Sequence, residues 1–432
     1  MKSNFLLLIL FFITSCTSGI DTSIDVKSLK KEGTTYISSE KKNENHLFKN
    51  EIDKVIFYSL EKKFNWNYPG FNSSNFLKNV ELNNSFSKIN RKNIFAKSKK
   101  NKYKKDIVIH ENKIIFVDDY SNLIIANTNL NLLKKIKIHK NFSKSINFRY
   151  SLISNNNTIF IADNLGSILA YDIIKNKVLW RNELGVPFLS NLSMFKNYIF
   201  VTNSNGKLFS FDALNGKQNW SYDTGTTNIK SPDSFKIVIF EDKLVFSNDF
   251  GFIFCLDLNK NLLLWTINIA NLSKNSENRL FSYSNLILES NYLYLSSSYR
   301  SFFKINIETG NIIWENNLDT DHLAIISPDT ISVIDKDGFF VILDKKNGKT
   351  VYKKDIKKGF VKNNDGVLIN NFFIGSNRFN IIFDNGNLIQ LDGKNLNNFV
   401  LHKITKNIIS NIVINDNKIF FIDQSGEVNS IQ

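Results

Sequence analysis

Cysteine and histidine are the residues of this sequence best suited to redox or metal chemistry, and both are scarce. The chain of 432 residues has two cysteines and five histidines. A protein metal site needs several ligands, commonly histidines separated by only a few residues. The histidines here are isolated from one another along the chain: His46, His110, His139, His322 and His402. The sequence therefore predicts no metal site.

The remaining candidates for chemistry have structural interpretations. Asp118 and Asp119 are adjacent acids, but they lie between two apolar stretches, where a hairpin turn favours Asp. Cys255 lies in the apolar run from Phe252 to Leu256 and is predicted to be a buried, inert thiol. The sequence has no phosphate-binding loop, dinucleotide fingerprint or nucleophile elbow. We predict no catalytic residue, no bound cofactor and no enzyme activity.

The first sixteen residues have the features of an export signal. Lys2 supplies a positive charge, and Phe5 to Ile13 form an apolar stretch of nine residues. Such a stretch spans roughly 13 Å as a helix, much less than a bilayer core of ~30 Å, so it indicates a signal peptide over residues 1–15. Residues 13–16 (ITSC) resemble a bacterial lipobox. This resemblance implies that Cys16 is diacylated and becomes the new N-terminus, and that the protein is sorted to the periplasmic face of an outer membrane.

The segment that follows the cysteine is polar. Residues 16–50 contain few large apolar side chains and are predicted to form a flexible, lipidated tether, with a reach of roughly 30 to 35 Å. The formal net charge is +15, which favours acidic proteins, anionic lipids or nucleic acid as partners. The alternative is that this charge reflects a Lys- and Asn-rich composition. The densest basic run, residues 97–105, has no accompanying nucleic-acid motif, so we predict a solvated loop there and no nucleic-acid partner.

The rest of the chain has the composition and the periodicity of a repeated β-structure. It contains 38 Phe and 14 Tyr but only 4 Pro, which favours strands. One pattern recurs every 38 to 49 residues: Gly, five residues, Asp, seven residues, Trp. Its clearest copies are Gly166, Asp172 and Trp180; Gly206, Asp212 and Trp220; and Gly251, Asp257 and Trp265. Weaker copies are Arg300, Asn306 and Trp314; Gly338, Asp344 and Tyr352; Gly386, Asp392 and Val400; and Asn122, Thr128 and Ile136.

Each copy alternates apolar and polar residues around two turns. The segment from Tyr198 to Asp212 reads as two strands joined by a hairpin at Gly206, and a second turn precedes Trp220. With the variable segment before each hairpin, every copy supplies four short antiparallel strands, as in a propeller blade. The glycine is expected to adopt positive φ, the Asp to accept hydrogen bonds from amides of the next turn, and the Trp to bridge adjacent blades.

The last copy predicts how the propeller closes. Gly426 is followed by one strand, and the sequence printed here stops at Gln432, so the last blade lacks its outer strand. Because an open sheet edge is unfavourable, we expect an N-terminal strand to complete the blade, from residues 93–97 (NIFAK) or residues 55–60 (VIFYSL). Counting the hairpin positions gives eight blades over residues 107–432, preceded by an N-terminal segment at 51–106. Seven blades are the alternative if the weak first copy is not a blade.

The Gly, Asp, (Thr/Asn)-Gly-Lys and Trp pattern resembles the pyrroloquinoline-quinone (PQQ)-type propeller repeat over residues 107–432. With the lipobox and the blade count, the chain resembles the BamB family of lipoproteins in the outer-membrane β-barrel assembly machinery. The segment from Trp66 to Gly70 is similar to the alphaproteobacterial branch of that family. The resemblance implies a non-catalytic scaffold that binds the periplasmic domains of the barrel-inserting subunit, other assembly subunits and unfolded outer-membrane proteins, as a monomer within a complex.

Two further implications come from the resemblance. The loops expected to contact a partner contain Phe188 and Leu189, and Phe281 and Tyr283, without the charge pattern of the family. The alternative function is a degenerate PQQ-dependent sugar or alcohol dehydrogenase. Dehydrogenases of that type use a vicinal cysteine pair above the cofactor and a calcium site, and Cys16 and Cys255 cannot form such a pair.

Overall fold

The computed structural model describes residues 49–432, apart from 63–64, 84, 95–102, 140–145, 226, 228–230, 273–280, 285, 359–366 and 406. The residues described form 32 β-strands and one 3₁₀ turn, Pro232–Ser234, and they include no α-helix. The strands are grouped in eight antiparallel sheets of four. The predictions of an all-β fold and of eight blades are confirmed, and the weak first copy of the repeat is a blade. Within this described part, no helix is long and apolar enough to cross a membrane.

The first four blades follow one another along the chain. Blade 1 consists of β2 (Ile107–His110), β3 (Lys113–Val117), β4 (Asn122–Asn127) and β5 (Leu132–Lys137). Blade 2 consists of β6 (Tyr150–Asn155), β7 (Thr158–Asp163), β8 (Ser167–Asp172) and β9 (Lys177–Glu183). Blade 3 consists of β10 (Ser193–Phe195), β11 (Tyr198–Thr202), β12 (Lys207–Asp212) and β13 (Gln218–Asp223). Blade 4 consists of β14 (Ile237–Phe240), β15 (Lys243–Ser247), β16 (Phe252–Asp257) and β17 (Leu262–Asn268).

The other four blades complete the ring. Blade 5 consists of β18 (Ile287–Glu289), β19 (Tyr292–Ser297), β20 (Ser301–Asn306) and β21 (Ile312–Asn316). Blade 6 consists of β22 (Ile325–Ile326), β23 (Thr330–Ile334), β24 (Phe339–Asp344) and β25 (Thr350–Asp355). Blade 7 consists of β26 (Ile369–Gly375), β27 (Arg378–Phe383), β28 (Asn387–Asp392) and β29 (Asn395–Lys403). Blade 8 consists of β30 (Val413–Asn415), β31 (Lys418–Ile422), β32 (Glu427–Ile431) and β1 (Ile89–Asn93).

Burial follows the position of a strand within its blade. The second and third strands are apolar and almost continuously buried, as in β8, where all six residues are buried. The fourth strand forms the rim and is largely exposed, as in β5. Sheets stacked face to face bury both faces of their middle strands, which accounts for the continuous apolar runs there. The apolar clusters accordingly lie between neighbouring blades, filled largely by Phe, Ile and Leu.

The meander in each blade defines two faces of the ring. The first strands lie next to one another around the central axis, and β2 of blade 1 contacts β30 of blade 8. All first strands run in the same sense, because each blade repeats the same antiparallel order. We call the face with the connections between blades and the hairpins between second and third strands the loop face. The opposite face, with the remaining turns of each blade, is the turn face.

The N-terminal closing strand is present, but at a different position from either candidate. β1, residues Ile89–Asn93, pairs with β32 from Ile89 opposite Ile431 to Asn93 opposite Glu427. The candidate at residues 93–97 is therefore displaced by four residues, and its last three residues lie outside the described part. The candidate at 55–60 is not a strand. Both candidates are rich in apolar side chains, whereas the rim position is exposed and suits the polar sequence INRKN.

Candidate functional site

The Asp of each repeat organises the turn between the third and fourth strands. The Asp172 carboxylate accepts hydrogen bonds from the amides of Ile174 and Lys175, at 2.9 and 2.7 Å. The corresponding bonds are made in later blades by Asp212, Asp257, Asn306, Asp344 and, with one bond, Asp392. In the degraded copy, Asn306 stands in place of Asp, and its amide oxygen accepts the same two hydrogen bonds. These residues stabilise the turn between the third and fourth strands of their blades.

The Trp of the repeat joins one blade to the next. Nε1 of Trp180 donates to the carbonyl of Ala213 at 2.9 Å, and the same bond links Trp265 to Ile307 at 2.6 Å. Trp314 Nε1 donates to the carbonyl of Lys345 at 3.2 Å. Trp220 of blade 3 is placed differently. The next blade has Asn261 at the turn position that Gly216 occupies in blade 3. Trp220 packs on Phe200 of its own blade, with ring centroids 5.7 Å apart.

The degraded first repeat differs from its predicted alignment by one or two residues. All glycines at the hairpin position have positive φ, and each immediately precedes its third strand. In blade 1 that place is taken by Ser121, with φ of 61°, rather than by Asn122. Asn127, not Thr128, accepts the turn amides. The turn is also one residue shorter, so Lys134 instead of Ile136 lies at the Trp position. A shortened turn cannot be located by fixed spacing.

The central channel is filled by the chain itself. Residues 66–76, which we call the channel plug, contact the first strands of several blades from the turn face. The carbonyl of Trp66 accepts a bond from the Ile109 amide of blade 1 at 2.9 Å, and that of Asn67 from the Ser154 amide of blade 2 at 3.0 Å. The first strand of a blade has one edge free toward the axis, and the plug supplies partners to these amides.

The other limb of the plug makes equivalent bonds on blades 4 and 5. The carbonyls of Ser73 and Ser74 accept bonds from the amides of Ile239 and Leu288, at 2.8 and 2.9 Å. The tip reaches close to the loop face, where Asn411 Nδ2 donates to the Pro69 carbonyl at 3.0 Å. The plug therefore runs along most of the channel from the turn face. We call the loop-face end of the channel the mouth.

The tip of the plug is a tight turn that requires glycine. The Phe71 amide donates to the Tyr68 carbonyl at 3.0 Å, which closes the turn around Pro69 and Gly70. A Cβ added at Gly70 would lie 2.0 Å from Oδ1 of Asn75, on the other limb. Within the plug, Trp66 and Phe71 are buried and meet edge to face at 5.1 Å. The two limbs are thus packed against each other as well as against the blades.

The N-terminal arm spans residues 49–88 and includes the channel plug. Outside the plug, the arm lies against blades 5 to 8 and is held by a buried polar group. The Tyr58 hydroxyl donates to Glu289 of blade 5 at 2.5 Å. Lys345 of blade 6 donates to Glu289 at 2.9 Å, to Tyr58 at 3.1 Å and to the Ser327 carbonyl at 3.0 Å. The arm then passes blade 7, where Val80 bridges Gly375, and joins β1. One continuous segment therefore plugs the channel and completes blade 8.

Charged side chains converge on the axis at the mouth, just before the first strands of four blades. They are Lys104 and Asp106 of blade 1, Arg149 of blade 2, Asp233 and Lys236 of blade 4, and Asp321 and His322 of blade 6. We call them the mouth cluster. Lys236 interacts electrostatically with Arg149, Asp106 and Asp321, although these residues come from different blades. Lys104 Nζ donates to the carbonyl of Asn370 in blade 7. Side chains from distant blades can interact in this way only if they point to the axis.

Burial shifts the pKa values of the inner members of the cluster. It raises the pKa of Asp106 to about 7, although Arg149 acts in the opposite direction. It lowers the pKa of Lys104 to about 8, and that of Lys236 also to about 8 despite the nearby Asp233 carboxylate, whose Oδ1 is 3.8 Å from Nζ. Burial and the Lys104 charge lower the pKa of His322 to about 4. The outer acids are solvated, since the Asp233 and Asp321 side chains are 68% and 75% exposed.

The residues predicted to contact a partner are placed differently from the expectation. Phe188, Leu189, Phe281 and Tyr283 are all buried, and three of them belong to apolar clusters between blades. Their side chains hold the loops in position rather than facing solvent, so partner binding by these loops stays a prediction. Apolar residues in a loop sequence do not by themselves show whether their side chains pack into the core or face a partner protein. Cys16 and the tether lie outside the described residues.

The candidates for chemistry have structural partners. The buried Cys255 thiol lies 3.8 Å from the Ile307 carbonyl, and burial raises its pKa to about 12. His139 pairs with Asp163 at 2.6 Å, and His402 with Gln390 at 3.0 Å. The Asp118 carboxylate accepts hydrogen bonds from two amides of its own turn. The Asp119 carboxylate forms an ion pair with Lys105. Among the described residues, no group of three or more His, Cys, Asp or Glu side chains could hold a metal ion.

Eight four-stranded blades joined by the Asp turn and the Trp contact define a PQQ-type β-propeller. Residues 143–354 match the family model described as "Outer membrane protein assembly factor BamB". The resemblance of the chain to the BamB-like PQQ-type propellers, predicted from the repeat, is therefore confirmed. No curated protein sequence matches the chain.

Solved structures share the fold at low sequence identity. BamB from Moraxella catarrhalis has a TM-score of 0.63 at 14% identity, covering 79% of this chain and 100% of that one. The quinohemoprotein alcohol dehydrogenase from Comamonas testosteroni also has a TM-score of 0.63, at 9% identity, with coverage of 85% and 80%. A europium-containing methanol dehydrogenase has 0.61 at 12% identity, with coverage of 83% and 89%. The fold is thus shared by an assembly factor and by enzymes.

The residues of the channel do not fit a quinone cofactor of the dehydrogenase type. The plug tip at Pro69 and Gly70 occupies the axis, where a planar ring system would need open space. The one cysteine in the described part, Cys255, packs between blades 4 and 5, away from the axis.

Proposed function

We propose that this chain is a non-catalytic scaffold of the outer-membrane β-barrel assembly machinery, anchored by lipid on Cys16 to the periplasmic face of the outer membrane. The channel plug carries the non-catalytic part of the proposal, because it occupies the axis of the propeller and takes up space that a small ligand would need there. The match to the BamB family model supports the identity of the machinery. The protein would act as a monomer within that complex, aiding the assembly of outer-membrane proteins.

The loop face is the surface best suited to the partner, which we propose to be the periplasmic part of the barrel-inserting subunit. The turn face is partly covered by the N-terminal arm, whose backbone bonds to blades 6 and 7 at Val351 and Gly393. The loop face carries the longer connections between blades and exposes apolar hairpin tips at Leu165 and Phe250, which are 39% and 42% exposed. Exposed apolar side chains at hairpin tips are suited to protein contacts.

Site-specific photo-crosslinking in cells tests this docking. A photoreactive phenylalanine analogue is placed at Leu165 or Phe250 on the loop face of the full-length chain. Ile174 and Leu214 are matched controls, since they are 71% and 73% exposed apolar residues at turn tips on the turn face. We expect the barrel-inserting subunit to be captured from the two loop-face positions and not from the controls. Equal capture from both faces would refute the assignment of the face.

A second experiment addresses the function itself. The tagged full-length chain is purified from membranes, and both the co-purified proteins and quinone-dependent dye reduction are measured. Retention of assembly subunits without dye reduction is expected. Dye reduction after addition of the quinone and calcium, with no assembly subunit retained, would instead establish the dehydrogenase.

The anchor is tested separately by metabolic labelling with a fatty acid. The wild-type chain should incorporate label and fractionate with the outer membrane, whereas Cys16→Ser should do neither. Cys255→Ser is the matched control, and it should keep the label because that thiol is buried in the propeller. Incorporation of label by Cys16→Ser would contradict the lipobox prediction.

A further inference from the structure

We propose that the rim of blades 8, 1 and 2 lies against an anionic membrane surface, so that the ring stands edge-on to the bilayer. The inference rests on the membrane location proposed above, and it adds which part of the molecule faces the lipid headgroups. We call this part of the rim the basic arc. It consists of the outer strands of the three blades, which are β1, β5 and β9.

Charge is distributed unevenly around the rim. The three strands of the basic arc contain seven Lys or Arg residues and one acid, Glu183. The outer strands of blades 3, 4 and 5, which have the same total length, contain no Lys or Arg and two acids, Asp223 and Glu315. A Lys-rich composition alone would place lysines on every outer strand. The composition therefore does not account for this asymmetry.

Most cations of the basic arc have no acid to neutralise them. Arg181 pairs with Glu183 at 3.6 Å, and Lys92 Nζ donates at 2.6 Å to the side-chain oxygen of Asn131, which is neutral. Within the described part of the chain, five cations of the arc form no ion pair: Arg91, Lys92, Lys134, Lys135 and Lys177. An anionic surface would therefore meet uncompensated positive charge along the arc.

Hydrogen bonds between blades make the arc one continuous surface. The bond from Lys92 to Asn131 joins β1 to the residue that precedes β5. At the other end of β5, Arg181 of β9 donates to the Ile138 carbonyl at 2.8 Å. A flat surface that touches a ring from outside meets only a few adjacent blades. Three consecutive basic strands on the outside of the ring therefore match a planar partner, such as a bilayer surface.

Exposed apolar side chains lie among these cations. Leu132 and Leu133 of β5 are 45% and 48% exposed, and Val178 and Leu179 of β9 are 43% and 36% exposed. Protein segments that bind membrane surfaces combine apolar side chains, which insert among the headgroups, with Lys or Arg, which attract anionic lipids. The basic arc has both kinds of residue on neighbouring strands.

The edge-on orientation is compatible with the anchor and with docking. It leaves the loop face free for a protein partner. The described chain begins beside blade 6, where the Lys353 amide donates to the side chain of Asn50 at 2.9 Å. Residues 17–49 have a contour length of roughly 110 Å. Two opposite blades of four strands about 4.8 Å apart give the ring a width of roughly 40 to 50 Å, so the chain is long enough to connect a membrane at the arc to blade 6.

Fluorescence of the anchored, full-length chain tests the proposal. An environment-sensitive dye is attached to Leu133→Cys on the basic arc. The control position is Ile313→Cys, because Ile313 is 43% exposed on the outer strand of blade 5, which lies opposite blade 1 in the ring of eight. The lipidated protein is reconstituted into vesicles of phosphatidylcholine, either alone or with about 30% phosphatidylglycerol as the anionic lipid.

We expect the Leu133→Cys dye to emit at shorter wavelength, with at least about twofold higher intensity, only in the vesicles that contain phosphatidylglycerol. The change should be lost in about 1 M salt, where the Debye length is about 3 Å. The Ile313→Cys dye should emit equally in both kinds of vesicle. No response at Leu133→Cys, or equal responses at both positions, would overturn the proposal.

The labelling background separates failure of the anchor from failure of the arc. All labelled chains carry Cys255→Ser, and the parent chain without an added cysteine should take no dye, because acylation uses the Cys16 thiol. Dye on the parent chain would refute the anchor and not the arc. In that case the arc is tested by sedimentation of the unanchored chain with the same vesicles. Preferential sedimentation with the anionic vesicles would support the arc, and equal sedimentation with both would overturn it.

Charge variants locate the contact. Lys134→Gln/Lys135→Gln removes two adjacent charges from β5 and should abolish most of the response of the Leu133→Cys dye. Lys353→Gln/Lys354→Gln is the matched control, because it removes the same adjacent pair from β25, the outer strand of blade 6, and each pair has one exposed and one partly buried lysine. The control should keep the response, and near-ultraviolet circular dichroism confirms that both variants are folded.

Two outcomes of these variants would contradict the proposal. Equal loss of the response in both double variants would show that the net charge of the protein, rather than the arc, attracts the lipid. A change of the Leu133→Cys emission on adding the purified barrel-inserting subunit, with no response to anionic vesicles, would assign the arc to a protein partner instead.

Discussion

The indole of Trp180 lies directly against Gly216 in the next blade. A Cβ added at Gly216 would meet ring carbons of Trp180 at 2.6 Å, while the indole nitrogen bonds the neighbouring Ala213 carbonyl. The same arrangement pairs Trp265 with Gly310 and Trp314 with Gly348. The second glycine of the repeat therefore serves two purposes. It adopts positive φ in the turn, and it makes room for the Trp of the preceding blade.

The contact between blades predicts a large effect of a single methyl group at Gly216. Gly216→Ala should lower the free energy of unfolding by about 2 to 4 kcal/mol, since both the backbone conformation and the indole must change. Gly185→Ala is the control, because Gly185 has a similar positive φ of 69° and nothing within 4 Å of an added Cβ. The control should lose only about 1 kcal/mol in urea unfolding. Equal losses would show that the indole contact contributes nothing.

The plug predicts local rather than global destabilisation at Gly70. Gly70→Ala places a methyl group 2.0 Å from Oδ1 of Asn75 and should separate the two limbs. Hydrogen exchange should then accelerate at the amides of Ile109, Ser154 and Ile239, which donate to the plug, and remain slow in strands away from the axis. The double variant Gly70→Ala/Asn75→Ala should restore part of the protection that Gly70→Ala alone loses, because the clashing side chain is gone. Unchanged exchange in Gly70→Ala would contradict the described plug.

The polar group that holds the arm predicts a specific loss on removing one hydroxyl. Tyr58→Phe deletes the donor to Glu289 and the acceptor for Lys345, and it leaves the buried ion pair between these two side chains short of a partner. We expect a loss of about 1 to 3 kcal/mol in the free energy of unfolding. Tyr198→Phe, on a residue that is 41% exposed, should change it by less than about 0.5 kcal/mol. A Tyr58→Phe loss as small as the control's would mean that the arm is held elsewhere.

The raised pKa of Asp106 predicts a pH-dependent contribution to stability. Its folded pKa of about 7 exceeds the ordinary value of 3.8, so the folded state binds more protons than the unfolded state between these values. Stability should therefore fall as the pH rises from about 4 to about 7. Arg149 and Lys236 face this carboxyl and act to lower its pKa, but the effect of burial is larger. Asp106→Asn should remove that slope. Asparagine is suited to the position, since Asn411 holds the equivalent place in blade 8 and bonds the next first strand.

Measured unfolding free energies of wild type and Asp106→Asn across this range check the prediction. As the pH rises through this range, the unfolding free energy of Asp106→Asn should increase relative to that of the wild type. The two lysines do not obscure the result, because their lowered pKa values of about 8 place their own effect above the window, where stability rises with pH. A constant difference between the two proteins would contradict a raised folded pKa.

The parts of the fold that recur were predictable from sequence. Gly, Asp and Trp recur because each turn imposes the same φ, the same unpaired amides and the same gap between blades. The hairpin positions therefore located seven of the eight blades to the residue, and blade 1 to within one or two. The predicted closure by the N-terminal side also followed, from the unpaired edge of β32.

The parts that occur once were not predictable in the same way. β1 lies on the rim, where exposure removes the apolar alternation that marks other strands. The plug has no repeat partner, so no recurring pattern marks it in the sequence. The mouth cluster is assembled from residues that are far apart in sequence, and in the sequence alone each one resembles an ordinary surface charge. Their proximity follows from the ring and not from spacing along the chain.

The arm that forms the plug and β1 also determines when the molecule can become complete. β1 lies before blades 1 to 7 in the chain, and its partner β32 lies after them, so the two meet only once every intervening blade has been synthesised. Contacts between such distant segments form slowly. Until then the nascent ring is a row of blades with two open ends and an empty axis. Any factor that protects these ends during folding would therefore need to recognise an incomplete circle, and it would be released when β1 pairs with β32.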